Sequence, residues 1–229
     1  MELKQRLEQV RERIRKVCES CNRDADSVRL VAVSKTIPAG TVKEAIESGV
    51  RILGENYVQE AREKFDALIQ YPVSWHFIGH LQSNKTKYAV RLFDLIHSVD
   101  SLKLARELDK QAKKVDKIQH ILVQVNISEE DTKSGITADE APRLISEISE
   151  LENLSIRGLM TMPPYFYQPE KVKPFFAALR KLRDQVKERS LTNVSMEELS
   201  MGMTGDFEVA IEEGATLVRI GTAIFGERK

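Results

Sequence analysis

"VRLVAVSKT", residues 28–36, runs apolar for several positions and then presents a lysine followed by polar groups. Short, rich in valine and bounded by Pro38 and Gly40, it reads as a strand buried on both faces, the kind found mainly in parallel sheets. Lys35 then stands at the carboxyl end of that strand. A lone lysine in such a place ordinarily reaches solvent, so its meaning depends on what else converges there.

Seven further apolar runs follow: "VRILGEN", "VSWHFIGH", "FDLIHSVD", "HILVQVNIS", "SIRGLMTM", "MEELSMGM" and "TLVRIGTA". Helical patterns separate them. Thr41 with Glu44 and Thr137 with Glu140 have the spacing of capping boxes, and Gly49 and Gly214 stand where a helix end needs a left-handed residue. Strand alternating with helix about eight times is the pattern of a (β/α)8 TIM barrel, whose site lies at the carboxyl ends of the strands. A doubly wound open sheet is the competing arrangement, but its glycine-rich phosphate turn is replaced here by Ser34-Lys35-Thr36. The expected organisation is a single barrel domain over residues 1–229 with an amino-terminal helix.

Composition narrows the partners. The chain has 229 residues, 41% of them hydrophobic, with 35 basic and 35 acidic side chains. That supplies a sizeable core, and the balanced charge gives no net field to favour nucleic acid or an anionic membrane. The amino terminus places Leu3, Leu7, Val10, Ile14 and Val17 at helical spacing among many charges, without a signal-type apolar segment, so a cytoplasmic location is expected. Cys18 and Cys21 form a C-x-x-C pair, but they follow a helix instead of opening one, and no second Cys/His pair completes a zinc site. The expectation is a structural pair and no metal. His76 and His80 lie on a strand and its exit, so they would not share one face as ligands, while His97 and His120 look isolated.

In a barrel, the polar residues at strand ends meet at one mouth. They are Lys35 after strand one, Asn56 after strand two, and His80, Gln82, Ser83 and Asn84 after strand three. Asn126 follows strand five, Ser200 and Gly202 lie at strand seven, and Arg219, Gly221 and Thr222 at strand eight. The loops after strands seven and eight commonly hold phosphate in this fold, because backbone N–H groups there point at the anion. Glycines allow close approach and the Ser200 and Thr222 hydroxyls can donate. Strand alternation puts Leu217, Arg219 and Gly221 on one face, and a guanidinium among such apolar neighbours needs a partner, either an internal carboxylate or a ligand. A lysine at one end and a phosphate site at the other suggest a phosphorylated aldehyde held as an imine, either a sugar phosphate in an aldolase or pyridoxal 5′-phosphate (PLP).

The motifs "AVSKT", "GENYVQE", "WHFIGHLQSNK", "VNISEEDTKSG", "LSMGMTGDFEVAIEEG" and "VRIGTAIFG" together resemble the PLP homeostasis protein family, related to the barrel domain of bacterial alanine racemase. The resemblance covers nearly the whole chain. It implies a fold of the alanine racemase N-terminal-domain type, with Lys35 as the lysine that forms the PLP imine. It assigns Ser200, Gly202, Gly221 and Thr222 to the phosphate, Asn56 to the cofactor's surroundings and Arg219 to the pyridine nitrogen. A permanently charged donor at that nitrogen weakens PLP as an electron sink. The implied function is therefore intracellular PLP homeostasis by storage, buffering or delivery, without robust catalysis. The partners implied are PLP and apo-PLP enzymes, and the expected state is a monomer. A PLP-dependent amino-acid racemase is the first alternative. The sequence stops at Lys229, after strand eight, where alanine racemases continue into a β-rich domain with a tyrosine base, so two-base racemisation is not expected. A Schiff-base aldolase is the second alternative, although such lysines usually sit on a later strand.

Overall fold

A computed structural model describes residues 2–128, 130, 134–164 and 166–227. Its parallel strands are β1 (Arg29–Val33), β2 (Ile52–Glu55), β3 (Ser74–Phe77), β4 (Leu95–Val99) and β5 (Gln119–Asn126), followed by β6 (Leu154–Met160), β7 (Val194–Ser200) and β8 (Leu217–Ile220). Each pairs with its neighbour, β8 returns to β1, and the sheet closes as a (β/α)8 barrel. A two-residue strand, Ile136–Thr137, adds to the far end of β5.

The helices cover the outside: α1 (Leu3–Ser20), α2 (Ala39–Glu47), α3 (Val58–Leu68), α4 (Thr86–Leu92), α5 (Leu102–Lys113), α6 (Ala141–Ser149), α7 (Lys173–Lys187), α8 (Phe207–Glu212) and α9 (Thr222–Phe225). In α1 the stripe Leu3, Leu7, Val10, Ile14 and Cys18 is buried, as its spacing requires, and the helix packs on α8, α9 and α2. Among the described residues no helix is long and apolar enough to cross a membrane.

Strand alternation divides the core in two. Val218 and Ile220 join the large apolar layer between sheet and helices, while Leu217 joins a separate inner cluster with Val31, Ile52, Leu95, Leu122 and Met160. These six come from β8, β1, β2, β4, β5 and β6. The other two strands, β3 and β7, turn His76 and Ser200 inward instead, and both are buried. The barrel interior is thus apolar on most sides and polar on one.

Local punctuation is partly as expected. Gly49 and Gly214 end their helices at φ +105° and +96°, values that disfavour a side chain. Thr137 and Glu140 form the expected box in part: Glu140 N donates to Thr137 Oγ1 at 3.3 Å, and Thr137 Oγ1 donates to Glu140 Oε2 at 2.7 Å. The Thr41 box does not form. Pro38, with its φ fixed near −60°, is the N-cap of α2 three residues before Thr41, so Thr41 lies inside the helix.

Candidate ligand site at the barrel mouth

The strands' carboxyl ends surround a cavity of about 290 Å³, near the lower end of small-ligand pockets. Lys35, Asn56, Arg219, Gly221 and Thr222 line it together. Ile78, Met162, Phe166 and Met203 make its apolar wall, with Tyr167 and Asp206 at its polar edge.

Lys35 owes its position to its neighbours. Thr36 sits at φ +65°, a conformation that a β-branched residue adopts only when the surroundings impose it. A buried ionic cluster does so. Lys64 of α3 donates from Nζ to Ser34 O at 2.5 Å, to Glu55 Oε1 at 2.7 Å and to Glu60 Oε1 at 2.6 Å. Ser34 Oγ also donates to Glu55 Oε1 at 2.6 Å, and Thr36 N to Glu60 Oε1 at 2.5 Å. The backbone is therefore gripped on both sides of Lys35. Burial pushes the Glu55 carboxyl up, against the opposing pull of Lys64.

Arg219 faces the cavity from β8. Its Nη1 donates to Ser200 Oγ at 2.7 Å and its Nη2 to Thr161 O at 2.9 Å. Both acceptors are neutral, and among the described residues no carboxylate lies within ion-pair distance of this guanidinium. Burial lowers its pKa to about 10, so it remains charged at neutral pH. Asp206 contributes a more distant attraction, and its own carboxyl, which accepts from Met203 N at 2.6 Å, is raised by burial.

Ser200 and Gly202 stand behind the cavity wall. The Ser200 hydroxyl is fully buried and joins Arg219 to His97, whose Nδ1 is 2.8 Å away. Gly202 adopts φ +89°, and a Cβ there would come within 2.6 Å of Ala210, so only glycine lets β7 turn this closely over α8. At the opposite rim a Cβ on Gly79 would lie 2.3 Å from Asn56 O, which fixes Asn56 in place. The Asn56 Oδ1 is buried without a partner among the described residues.

His97 is not isolated: its Nε2 lies 3.0 Å from His76 Nδ1 inside the barrel. This pair, Lys64 with its carboxylates, and Asp206 were not singled out from sequence. His80 and Gln82 line a separate hollow of about 440 Å³ with Tyr57 and Lys85, which meets the first at Asn56. Asn126 binds within its own loop, to Glu130 O and Ser128 Oγ. Glu129, Asp131, Thr132 and Lys133 of "VNISEEDTKSG", and the terminal Arg228 and Lys229, lie outside the described residues. Cys21 stands at the carboxyl end of α1 with its Sγ bonded back to Val17 O at 3.0 Å, while Cys18 is buried in the core, its thiol raised by that burial.

Fold and cavity define the class: a (β/α)8 barrel with a cavity at its mouth that is lined by a strand-one lysine and a buried arginine. The profile of the alanine racemase N-terminal domain matches residues 5–229. The PLP homeostasis protein of Aquifex aeolicus is 47% identical, over 98% of both chains. The structure of PipY from Synechococcus elongatus with PLP bound superposes with TM-score 0.86 at 34% identity, over 98% of this chain and 100% of that one. Alanine racemase of Clostridium difficile in complex with cycloserine shares the fold at TM-score 0.72 and 16% identity, over 95% of this chain and 58% of that one. The chain belongs to the pyridoxal phosphate homeostasis protein family, within the alanine racemase N-terminal-domain barrels.

Proposed function

We propose that this protein binds PLP at the barrel mouth through Lys35 and maintains its intracellular supply, by storage, buffering or delivery to apo-PLP enzymes, without turning over a substrate of its own. The observation that carries this reading is the pairing of Lys35 and Arg219 on one small cavity. The family supports the ligand.

The residues present fit the group. A buried guanidinium with only neutral acceptors lacks an electron-rich partner on its open side, and the unpaired Asn56 Oδ1 lacks a donor. An aldehyde, a ring nitrogen, a ring hydroxyl and a phosphate offer complementary chemistry. When bound, PLP supplies an electrophilic carbonyl conjugated to an electron-withdrawing ring.

The protein's part follows from its own groups. Lys35 presents its amine to the aldehyde, held by the Ser34 and Thr36 anchors. Gly221 and Thr222 take the phosphate, with Gly202 shaping the turn behind them. Asn56 lies against the cofactor. Arg219 can only donate, so it leaves the pyridine nitrogen unprotonated and restrains the electron withdrawal that amino-acid chemistry needs. Met162, Phe166 and Ile78 limit water at the amine.

The racemase reading is retained because Asp206 and Tyr167 are acid–base groups on the same cavity. The test is spectroscopic: PLP added to the purified protein should develop a near-visible band, and Lys35→Met should abolish it. An unchanged band in that variant contradicts the assignment of Lys35.

A further inference from the structure

We propose that Ser200, His97 and His76 form a directional hydrogen-bond chain through the barrel core that holds Arg219 in the orientation needed to meet the pyridine nitrogen. They are positioning residues and reach the ligand only through Arg219. The inference rests on the PLP reading above.

The direction of the chain follows from donor and acceptor capacity. A guanidinium only donates, so Ser200 Oγ accepts from Arg219 Nη1 at 2.7 Å and its own proton must point elsewhere. The neighbour in reach is His97 Nδ1, at 2.8 Å. That nitrogen then accepts, which places the His97 proton on Nε2. Nε2 in turn faces His76 Nδ1 at 3.0 Å, which accepts and leaves the second imidazole protonated at Nε2. With Ser200 donating to His97, each link fixes the next; the opposite direction would have Ser200 Oγ accept from both Arg219 and His97, turn its proton to another acceptor and exchange the tautomers of both imidazoles.

Burial and charge keep the imidazoles neutral. His97 is fully enclosed and His76 nearly so. Desolvation holds both well below the ordinary histidine range, with Arg219 and His76 further opposing charge on His97. A protonated His97 would direct a second donor at Ser200 beside an existing cation. The neutral chain lets Ser200 act as a committed acceptor. Thr161 O at 2.9 Å fixes Nη2, so the guanidinium is held at two points and its remaining N–H groups are left for the cavity. An apolar interior would have served packing equally well, as the six residues of the inner cluster show. The polar side of the barrel runs through the residues that touch Arg219.

The test compares binding of PLP with that of its 1-deaza analogue, in which a C–H replaces the ring nitrogen. Wild-type protein should prefer PLP by about tenfold or more, as expected for one charge-assisted hydrogen bond. His97→Leu and Ser200→Ala should shrink that preference to about twofold or less, because a loosened arginine no longer distinguishes the two rings. His97→Asn, which keeps an acceptor toward Ser200, should retain most of it. A role confined to packing would weaken both ligands equally and leave the ratio unchanged, and that result overturns the inference. So does an absence of preference in the wild type. Failure of the wild type to bind PLP at all overturns the functional reading itself. Should His97→Leu not fold, Ser200→Ala carries the comparison. Independently of any ligand, 15N spectra of the wild-type imidazoles should show both His76 and His97 as neutral Nε2–H tautomers. An Nδ1–H tautomer at His97 contradicts the chain's direction.

Discussion

Lys64 Nζ donates to Glu55 Oε1 at 2.7 Å, and the two side chains are 5% and 0% exposed. This enclosed pair belongs to the cluster that grips Ser34 and Thr36, so it connects fold stability to the placement of Lys35. Removing one partner of a buried pair strands the other. Lys64→Met should therefore destabilise the protein by about 3–5 kcal/mol at neutral pH, read from urea unfolding. A second change, Glu55→Gln, should restore part of the loss by removing the stranded charge. A single-variant loss under about 1 kcal/mol, the scale of a surface pair, would contradict this account.

The phosphate assignment separates from the arginine assignment at two hydroxyls. Thr222 lines the cavity, whereas the Ser200 hydroxyl is committed to Arg219 and His97. Thr222→Ala should weaken PLP by about 1.5–3 kcal/mol, the range for hydrogen bonds to charged groups, while changing pyridoxal binding little. Ser200→Ala should weaken the two ligands alike, since both contain the ring nitrogen. The reverse pattern in dissociation constants would place the phosphate against Ser200.

Acid should destabilise the fold through the enclosed histidines. Burial lowers His76 to about 3 and His97 well below its ordinary value, whereas both return to about 6.5 in the unfolded chain. Between those limits the unfolded state binds protons that the folded state refuses, so stability present above about pH 6.5 is lost as pH falls. Each histidine contributes a slope of about 1.4 kcal/mol per pH unit within that window. Glu55, whose carboxyl is raised, contributes with the opposite sign. Comparison with His76→Gln isolates the histidine: its profile between about pH 6 and 4 should be flatter by one such slope. Parallel profiles would show that His76 titrates normally in the folded protein.

Turnover of amino acids should be negligible. Arg219 keeps its charge at neutral pH, and a guanidinium that met the proposed ligand's ring nitrogen could not supply a ring proton, which would leave carbanion stabilisation weak. The PLP-loaded protein incubated with L-alanine or L-serine should yield only traces of the D-enantiomer by chiral chromatography. In parallel, an apo-PLP enzyme mixed with it should regain activity. Racemisation at ordinary enzyme rates, about 1 s⁻¹ or faster, would instead promote the racemase reading and direct attention to Asp206 and Tyr167.

The barrel and its mouth were legible because they rest on local rules. Apolar runs separated by helical patterns set the strand count, and the alternation around Arg219 put Leu217 and Val218 on opposite faces, which the structure resolves as the inner cluster and the outer layer. Lys35, Asn56, Gly221 and Thr222 meet because strand ends converge in this fold. The histidine pair depends on something a single strand does not encode. His76 pairs in register with Leu95, which brings His97 one inward-facing position further along β4. Nothing in either strand alone announces that. The internal carboxylate considered for Arg219 is likewise replaced by Ser200 Oγ and Thr161 O, contributed by other strand ends. Lys64 escaped notice for a related reason: on α3 its spacing suggests an ordinary i, i+4 surface pair with Glu60, and only the packing of α3 against β2 encloses it with Glu55.

The central claim is that Lys35 carries PLP covalently, and borohydride reduction followed by peptide mass mapping tests it most directly. Reduction converts the carbon–nitrogen bond between amine and aldehyde carbon into a stable secondary amine. At PLP saturation the phosphopyridoxyl group should be recovered on the peptide containing Lys35, and at most in traces elsewhere. Recovery on another lysine, or none on any peptide, would contradict the account.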